Sequence, residues 1–405
     1  MMASYSIRRL FLEHETDLQA ELKGERGPRA EEFARQARRH PWVLKIISRE
    51  QELATNLLSA FSLRHLPCWL AGPKVAYLFS HEEQLRELAQ GRQTFASQEA
   101  AFAAELRVFL DNQTRTEFVI DSPCCSMIAG GPTLVMGVLN CTPDSFYDGG
   151  RYRSHEQAIA HGLQMAAAGA DIIDIGGEST RPRGVYGEGA EPVPAEEEME
   201  RVLPVIAALS QQVEIPLSID TYKAAVAEAA LKAGAAIVND ISGFLFDPQM
   251  AETVARHQAV AVLMHIKGTP ADMQADPSYE NLLDEIYLHL QARVEAALQA
   301  GIPRERLIID PGIGFGKRLE HNFEILRRLA EFHGLGCPIL VGPSRKSFVG
   351  TVLNLPPDQR LEGTAAAVAL AVKNGAHLVR VHDVEEMRRV VHIADLIAGR
   401  FGYTT

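Results

Sequence analysis

The stretch Asp310–Lys317, Asp-Pro-Gly-Ile-Gly-Phe-Gly-Lys, combines residue types that suit ligand binding. It follows the apolar run Leu307–Ile309, so it predicts a buried strand that ends in a carboxylate and continues into a glycine-rich loop. The proline restricts one φ angle, and the glycines can adopt conformations that are closed to other residues. A carboxylate at the end of a buried strand is costly for folding but well suited to holding a polar ligand. The alternative is a turn capped by Asp310. The spacing G-x-G-x-G is not that of a dinucleotide-binding loop.

The same arrangement, an apolar run followed by polar residues, recurs seven more times in the second part of the chain. The polar residues that follow the eight runs are Asn140, Thr180, Asp220, Asn239, His265, Asp310, Lys346 and the pair Arg380 and His382. A single case is explained by a loop cap or a turn. Eight cases favour one shared site.

Helical patterns separate these apolar runs, so strands and helices alternate along the chain. The clearest helical patterns cover residues 154–168, 195–209, 224–233 and 279–300. Alternation of this kind predicts parallel βαβ units, and eight units in about 270 residues match a closed (β/α)8 TIM barrel. The carboxyl ends of all barrel strands open on one face, where the active site is built. A doubly wound open sheet is the alternative, but no dinucleotide-binding loop supports it.

The first part of the chain has a different pattern. It predicts strands at 42–47, 68–70 and 75–79 and helices at 51–61, 81–89 and 98–110. We therefore expect a small N-terminal α/β module of unknown role over residues 1–125 and the catalytic barrel over residues 126–405. Residues 114–128 are expected to form a connector between them.

Composition excludes several classes of protein. The chain has 405 residues and a net charge of −12, which argues against non-specific nucleic-acid binding. Its five scattered cysteines lack metal-ligand spacing and indicate a reduced, cytoplasmic protein. The N-terminus has no apolar core of signal-peptide length, and no apolar run approaches the roughly 20 residues of a membrane span. We expect small-molecule substrates, without a nucleic-acid or membrane partner.

One group of residues predicts a site for a planar heterocycle. Its members are Asp220, Asn239, Met264, Asp310, Phe315 and Lys346. Carboxylates accept hydrogen bonds from an exocyclic amine and an adjacent ring N–H together, as in a 2-amino-4-oxopyrimidine. The lysine can donate to a carbonyl or nitrogen of the ring, and the methionine and phenylalanine can pack on its faces. The alternative for Met264 is an ordinary core residue.

A second group, Asn140, Arg380 and His382, predicts an anion site. It follows the first and last predicted strands, which are neighbours in a closed barrel. Arginine suits a phosphate or diphosphate, and Asn140 can bind an oxygen atom or a Mg²⁺ ion on it. With one evident protein ligand, Mg²⁺ would be held mainly by diphosphate and water. Displacement of diphosphate needs a neutralised leaving group and an oriented electrophile rather than a catalytic triad.

Residues 133–398 closely resemble dihydropteroate synthase. The matching motifs occur in the family's order and are Asn140–Gly150 (NCTPDSFYDGG), Asp174–Pro182 (DIGGESTRP), Ser218–Asp220 (SID), Asn239–Gly243 (NDISG), Met264–His265, Asp310–Lys317 (DPGIGFGK), Ser344–Phe348 (SRKSF) and Arg380–Val384 (RVHDV). The resemblance implies condensation of (7,8-dihydropterin-6-yl)methyl diphosphate with 4-aminobenzoate, giving 7,8-dihydropteroate and diphosphate in folate biosynthesis. It also implies Mg²⁺ and a homodimer.

The resemblance also assigns roles to individual residues. The implied pterin-binding residues are Asp220, Asn239, Met264, Asp310, Phe315, Gly342 and Lys346. The implied diphosphate-binding residues are Asn140, Arg380 and His382, with Asn140 on Mg²⁺. The implied 4-aminobenzoate pocket, where sulfonamides would compete, is formed by Phe146, Thr180, Arg181, Pro182, Phe315 and Ser347. The residues expected to carry catalysis are Asp220, Asp310, Lys346 and Arg380.

The chain departs from the family pattern in its loops, at Tyr147, at Arg183 and in a longer segment over 184–191. Two alternatives stay open. A corrinoid methyltransferase of the same fold, using methyltetrahydrofolate, would share the pterin-binding residues but needs no anion site. A non-catalytic pterin sensor would be expected to lose the diphosphate-binding residues. The presence of all three of these residues favours the synthase.

Overall fold

The computed structural model describes residues 5–12, 14–22, 28–48, 57, 61, 66–72, 74–90, 97–142, 150–179 and 192–400. The chain divides into two units. The first contains residues 1–115 and 330–336, and the second contains residues 116–329 and 337–405. The division falls after Arg115 rather than after residue 125, because the residues that follow Arg115 pack into the core of the second unit.

The first unit contains a four-stranded antiparallel sheet in the order β1-β2-β4-β3. Its strands are β1 (Tyr5–Leu10), β2 (Trp42–Ser48), β3 (Cys68–Gly72) and β4 (Val75–Ser80). Its helices include α1 (Glu15–Leu22), α2 (Pro28–Arg39), α3 (Glu82–Gln90) and α4 (Ser97–Gln113). Strand β1 was not predicted, because two arginines interrupt its apolar pattern. Of the helix predicted over 51–61, most residues lie outside those described.

A network of buried charges lies in the first unit. The Arg8 guanidinium is 1% exposed and binds Glu331 and, at 3.3 Å, Glu21. Glu21 also binds the ammonium group of Lys45 and accepts a hydrogen bond at 2.9 Å from the Tyr77 hydroxyl. Burying charges is unfavourable unless each has a partner. The network therefore requires Glu331, which the chain contributes from a distant point in the sequence.

Replacing Glu331 with Ala should lower the free energy of unfolding of the first unit by about 3 kcal/mol, because it removes one partner of a buried ion pair. The surface pair of Glu32 and Arg35 is 43% and 58% exposed, so Glu32→Ala is a matched control with an expected loss below about 1 kcal/mol. Trp42 and Trp69 are the chain's two tryptophans, and their fluorescence during urea unfolding reports on this unit. Equal losses in the two variants would contradict the network's role.

The second unit begins with an antiparallel hairpin, β5 (Phe118–Ser122) and β6 (Cys125–Ala129). The prediction of a connector over 114–128 was therefore wrong. Phe118 and Ile120 are buried while Val119 between them is exposed, which is the alternation of a half-buried strand. The buried side chains pack with the first residues of several strands of the larger sheet. The hairpin thus covers the amino ends of those strands.

The larger sheet has eight parallel strands, in the order β12-β11-β10-β9-β8-β7-β14-β13. They are β7 (Leu134–Asn140), β8 (Ile172–Gly176), β9 (Leu217–Asp220), β10 (Ile237–Asp240), β11 (Val260–Met264), β12 (Leu307–Asp310), β13 (Leu340–Val341) and β14 (Leu378–Val381). A bridge between Ile309 and Ile339 joins the two ends of the sheet. The predicted TIM barrel is confirmed.

Helices follow the strands, as the alternating pattern predicts. They are α5 (Gly150–Ala167), α6 (Ala195–Leu209), α7 (Ala224–Ala233), α8 (Met250–Arg256), α9 (Leu282–Gln299), α10 (Leu319–Arg327), α11 (Ser347–Leu353), α12 (Leu361–Lys373) and α13 (Val384–Ala398). Helices α6 and α7 have the predicted bounds. Helix α9 begins later than predicted, because the Asn281 side chain caps it by accepting a hydrogen bond from the Asp284 N–H at 3.0 Å. Within the described ranges, no helix has the length and apolar character of a membrane span.

Candidate active site

The strand register places polar residues side by side at the carboxyl end of the barrel. Asp220 on β9 lies between Asn239 on β10 and Gly176 on β8. Asn140 on β7 lies on the other side of Gly176, and Met264 on β11 is paired with Asp310 on β12. Because the glycine has no side chain, it leaves space between Asn140 and Asp220.

Arg380 joins the two predicted groups into one site. Its Nη2 donates to Oδ2 of Asp220 at 2.7 Å, and its Nε donates to Oδ2 of Asp174 at 2.6 Å. The same Asp174 oxygen accepts a hydrogen bond from the Asn239 amide at 2.9 Å. The predicted anion-binding arginine on β14 is thus held by carboxylates from β8 and β9, next to a residue predicted for the heterocycle.

Sequence reasoning missed Asp174 as a site residue. It lies in the apolar run Ile172–Gly176, and its side chain is fully buried. Its second oxygen, Oδ1, accepts no hydrogen bond from the described part of the chain. The available signal was a carboxylate in an otherwise apolar strand, since such a group is rarely buried without a specific partner.

Burial shifts the pKa values of Asp220, Asp310 and Lys346 toward neutrality. It raises the pKa of Asp220 to about 7, with Arg380 opposing the shift and Asp174 adding to it. It lowers the pKa of Lys346 to about 8, although Asp310 opposes this. The pKa of Asp310 is raised, again mainly by burial and against the effect of Lys346. Asp220 and Lys346 therefore titrate close to neutral pH.

The loop over residues 312–316, called here the glycine loop, contacts Asp310 and Lys346 and carries Phe315. The Gly312 N–H donates to Oδ1 of Asp310 at 2.7 Å. Gly312 has a φ of 74°, and a Cβ there would overlap the His265 carbonyl oxygen, so glycine is required. The Lys346 ammonium donates to the Ile313 carbonyl and lies 4.6 Å from the centre of the Phe315 ring.

An apolar wall lies beside these polar groups. Met264 clusters with three buried apolar neighbours, Ile241, Ile266 and Met273, and Tyr222 and Phe315 pack against the cluster. Gly342 completes the arrangement, since a Cβ there would lie 3.6 Å from Cβ of Arg380 and 3.8 Å from Nζ of Lys346. The structure therefore brings together the predicted heterocycle-binding residues.

Two other predicted residues lie close by. The Nδ1 atom of His382 is 3.0 Å from the Ser344 hydroxyl, and its backbone N–H donates to the same hydroxyl at 3.2 Å. Ser347 begins helix α11, directly after Lys346.

His265, in contrast, is buried, and its side chain contacts other side chains of the protein. Its Nδ1 is 2.9 Å from the Lys317 ammonium, and its ring centre is 4.7 Å from that of His289. Burial, with Lys317 adding to the effect, lowers the pKa of His265 well below its usual value. We therefore expect a neutral imidazole.

Several predictions fall on residues that the structure does not describe. Phe146, Thr180, Arg181 and Pro182 of the implied 4-aminobenzoate pocket lie there, as do the departures at Tyr147, at Arg183 and over 184–191. Their roles stay predictions.

Known proteins match the barrel. A family model described as pterin binding enzyme matches residues 136–382, more than half of the chain. The dihydropteroate synthase of Synechocystis sp. is 49% identical over 269 residues, which cover 66% of this chain and 91% of that protein. The dihydropteroate synthase of Bacillus subtilis is 46% identical over 270 residues, covering 67% and 90%. This chain belongs to the dihydropteroate synthase family.

Solved dihydropteroate synthases also share the fold. The Yersinia pestis enzyme, determined with a sulfonamide drug, has a TM-score of 0.64 and 42% identity, covering 69% of this chain and 98% of that one. The Xanthomonas albilineans enzyme, determined with 4-aminobenzoic acid, has a TM-score of 0.64 and 41% identity, covering 70% and 99%. The predicted family, fold and enzyme class are confirmed. The family match begins in β7, so residues 1–115 lie outside it.

Proposed function

We propose that this chain condenses (7,8-dihydropterin-6-yl)methyl diphosphate with 4-aminobenzoate, giving 7,8-dihydropteroate and diphosphate. The observation that carries the proposal is the joining of Arg380 to Asp174 and Asp220, which sets an anion-binding group beside acceptors for a heterocycle. Solved relatives support the substrates, since the Xanthomonas albilineans enzyme has been determined with 4-aminobenzoic acid and with 7,8-dihydropteroate.

The pterin ring would bind between four polar side chains. The carboxylates of Asp220 and Asp310 accept from N–H groups of the ring, and Lys346 donates to a ring carbonyl or nitrogen. One N–H of the Asn239 amide donates to Asp174, so its side-chain oxygen is available to accept from the ring. Met264, Phe315 and Gly342 would lie against or beside the ring.

The diphosphate would bind to Arg380, Asn140 and His382. In the described part of the chain, no three His, Cys, Asp or Glu side chains form a cluster suited to a metal ion. Mg²⁺ binds through few protein ligands together with phosphate oxygens and water. The Asn140 amide oxygen fits this role, and Mg²⁺ would supply neutralisation of charge on the leaving diphosphate.

The reaction then needs orientation and charge neutralisation from the protein. The amine nitrogen of 4-aminobenzoate forms a bond to the methylene carbon, the carbon–oxygen bond breaks, and diphosphate leaves with the electron pair. The amine loses one proton, which passes to water. The dihydropterin ring delocalises positive charge, which favours a dissociative displacement. Arg380 lowers the barrier by stabilising the charge that develops on the diphosphate.

The 4-aminobenzoate would bind at the open side of the pterin pocket. The Phe315 ring contacts the Lys346 ammonium, and Ser347 follows Lys346 in the sequence. Both residues are therefore suited to a position between the two substrates. The remaining members of this pocket are Phe146, Thr180, Arg181 and Pro182, and sulfonamides would compete there.

The test is release of diphosphate by the purified chain from the pterin diphosphate substrate and Mg²⁺, with and without 4-aminobenzoate. We expect release that depends on 4-aminobenzoate. Arg380→Gln should lower kcat/KM by about a hundredfold, since it removes a charge that stabilises the leaving group. Arg389 pairs with Glu385 on the surface and is 67% exposed, so Arg389→Gln is the matched control.

Two outcomes would contradict the proposal. Pterin binding without diphosphate release would favour the sensor. Methyl transfer from methyltetrahydrofolate to a corrinoid protein would favour the methyltransferase.

We also propose a cytoplasmic homodimer. Leu370 on α12 and Ile393 and Ile397 on α13 are 59%, 57% and 71% exposed, and apolar surface of this kind is typical of a protein interface. Cys141 and Cys337 are buried cysteines that form no disulfide bond, which fits a reducing compartment. Sedimentation velocity should show a dimer that Ile397→Glu converts to a monomer, whereas a monomeric wild-type chain would contradict the proposal.

A further inference from the structure

Side chains bind every backbone carbonyl of the glycine loop. The hydrogen bonds run from Lys317 to Gly312 at 3.2 Å, from Lys346 to Ile313, from Gln274 to Gly314 at 2.7 Å, from Lys317 to Phe315 at 2.8 Å and from Tyr279 to Gly316 at 2.6 Å. A glycine-rich loop otherwise has access to many conformations, and water satisfies the polar groups of most surface loops. The side chains therefore hold this loop in one conformation.

Lys317 makes two of these hydrogen bonds, near the two ends of the loop. Its side chain is buried, at 3% exposed, and the third partner of its ammonium is Nδ1 of His265 at 2.9 Å. None of the three partners is a carboxylate. A lysine buried in this way is costly, because its charge loses water without gaining an opposite charge at hydrogen-bond distance. Its hydrogen bonds to the loop carbonyls offset part of this cost.

His265 can form its hydrogen bond with Lys317 whether the lysine is charged or neutral. An ammonium group donates to two carbonyls and to the imidazole nitrogen, whereas a neutral amine donates to two carbonyls and accepts from the imidazole N–H. Burial lowers the pKa of Lys317 well below its usual value and does the same to His265. The His265 ring packs edge to face against His289. Its position is therefore determined independently of Lys317.

The loop in turn positions the groups proposed to contact the pterin. Asp310 accepts from the Gly312 N–H, and Lys346 donates to the Ile313 carbonyl. The Phe315 ring is carried by the loop itself. A shift of the loop backbone would therefore move all three groups together.

We propose that Lys317, held by His265, is a positioning residue for the pterin site. It holds the conformation of the glycine loop and, through the loop, the positions of Asp310, Phe315 and Lys346. The inference rests on the proposed function and names residues outside the set that contacts substrate.

The test measures KM for both substrates in the full chain carrying Lys317→Met, which keeps an unbranched side chain one atom shorter than lysine and removes its hydrogen-bond donors. We expect KM for the pterin diphosphate to rise about tenfold, the effect of losing hydrogen bonds to a charged group. KM for 4-aminobenzoate should rise less, because Asp310 and Lys346 are proposed to contact the pterin alone and, of the three groups, Phe315 is the one shared with the 4-aminobenzoate pocket. Lys232→Met is the control for the substitution, because the ammonium of Lys232 binds Glu228 on α7 at 2.8 Å and no group of the glycine loop. It should change neither KM.

Variants at His265 separate positioning from general stabilisation. His265→Asn keeps a polar atom close to the place of Nδ1 and should preserve KM for the pterin diphosphate. His265→Leu should also raise it, and the double variant should be no worse than Lys317→Met alone, because Lys317→Met already removes the contact with His265. His265→Leu also carries the test if Lys317→Met does not fold.

An unchanged pterin KM in Lys317→Met, or equal rises in the KM of both substrates, would overturn the inference. If the wild-type chain releases no diphosphate in the presence of 4-aminobenzoate, the proposed function fails instead. The same variants are then compared by fluorescence titration with 6-hydroxymethylpterin. Weaker binding in Lys317→Met than in Lys232→Met would support positioning, and equal binding would refute it.

Discussion

The active site depends on a guanidinium held by two carboxylates. Arg380 lies on β14, while its partners Asp174 and Asp220 lie on β8 and β9, with β7 between them and β14 in the sheet. A charge that is largely removed from water needs such partners. If one partner of a buried ion pair is removed, the remaining charge has nothing to offset its loss of water. The curvature of a closed barrel brings these strands within side-chain distance. The charged network therefore depends on the closure of the barrel.

In the second unit, the charged network and the β5–β6 hairpin lie at opposite ends of the barrel. The hairpin formed by β5 and β6 contributes apolar side chains to the core at the amino ends of the strands. At the carboxyl ends, charged and backbone hydrogen bonds hold Asp220, Asp310 and Lys346 in place. The stability of the barrel thus comes largely from apolar packing, which leaves the opposite end free to hold costly polar groups for function.

The sequence predicts the barrel well because each apolar run is followed by a chemically distinct group, such as Asp220, Asp310 or Arg380. It does not reveal that Asp174 belongs to the site, because this residue lies within an apolar run and not at its end. It also does not show that residues 330–336 belong to the first unit, because contacts between distant segments leave no local pattern. The hairpin at 118–129 was missed since its apolar alternation is short and polar residues, Asp121, Ser122 and Ser126, surround its turn.

The measurement that tests the account most directly is the pH dependence of kcat/KM for the pterin diphosphate. Asp220 must be ionised to accept hydrogen bonds from the ring, and Lys346 must be protonated to donate one. Because their pKa values are about 7 and about 8, kcat/KM should fall below the first value and above the second. Asp220→Asn should remove the acid limb, which separates it from titration of the diphosphate itself. A flat profile through this range, or an acid limb that persists in Asp220→Asn, would contradict the account.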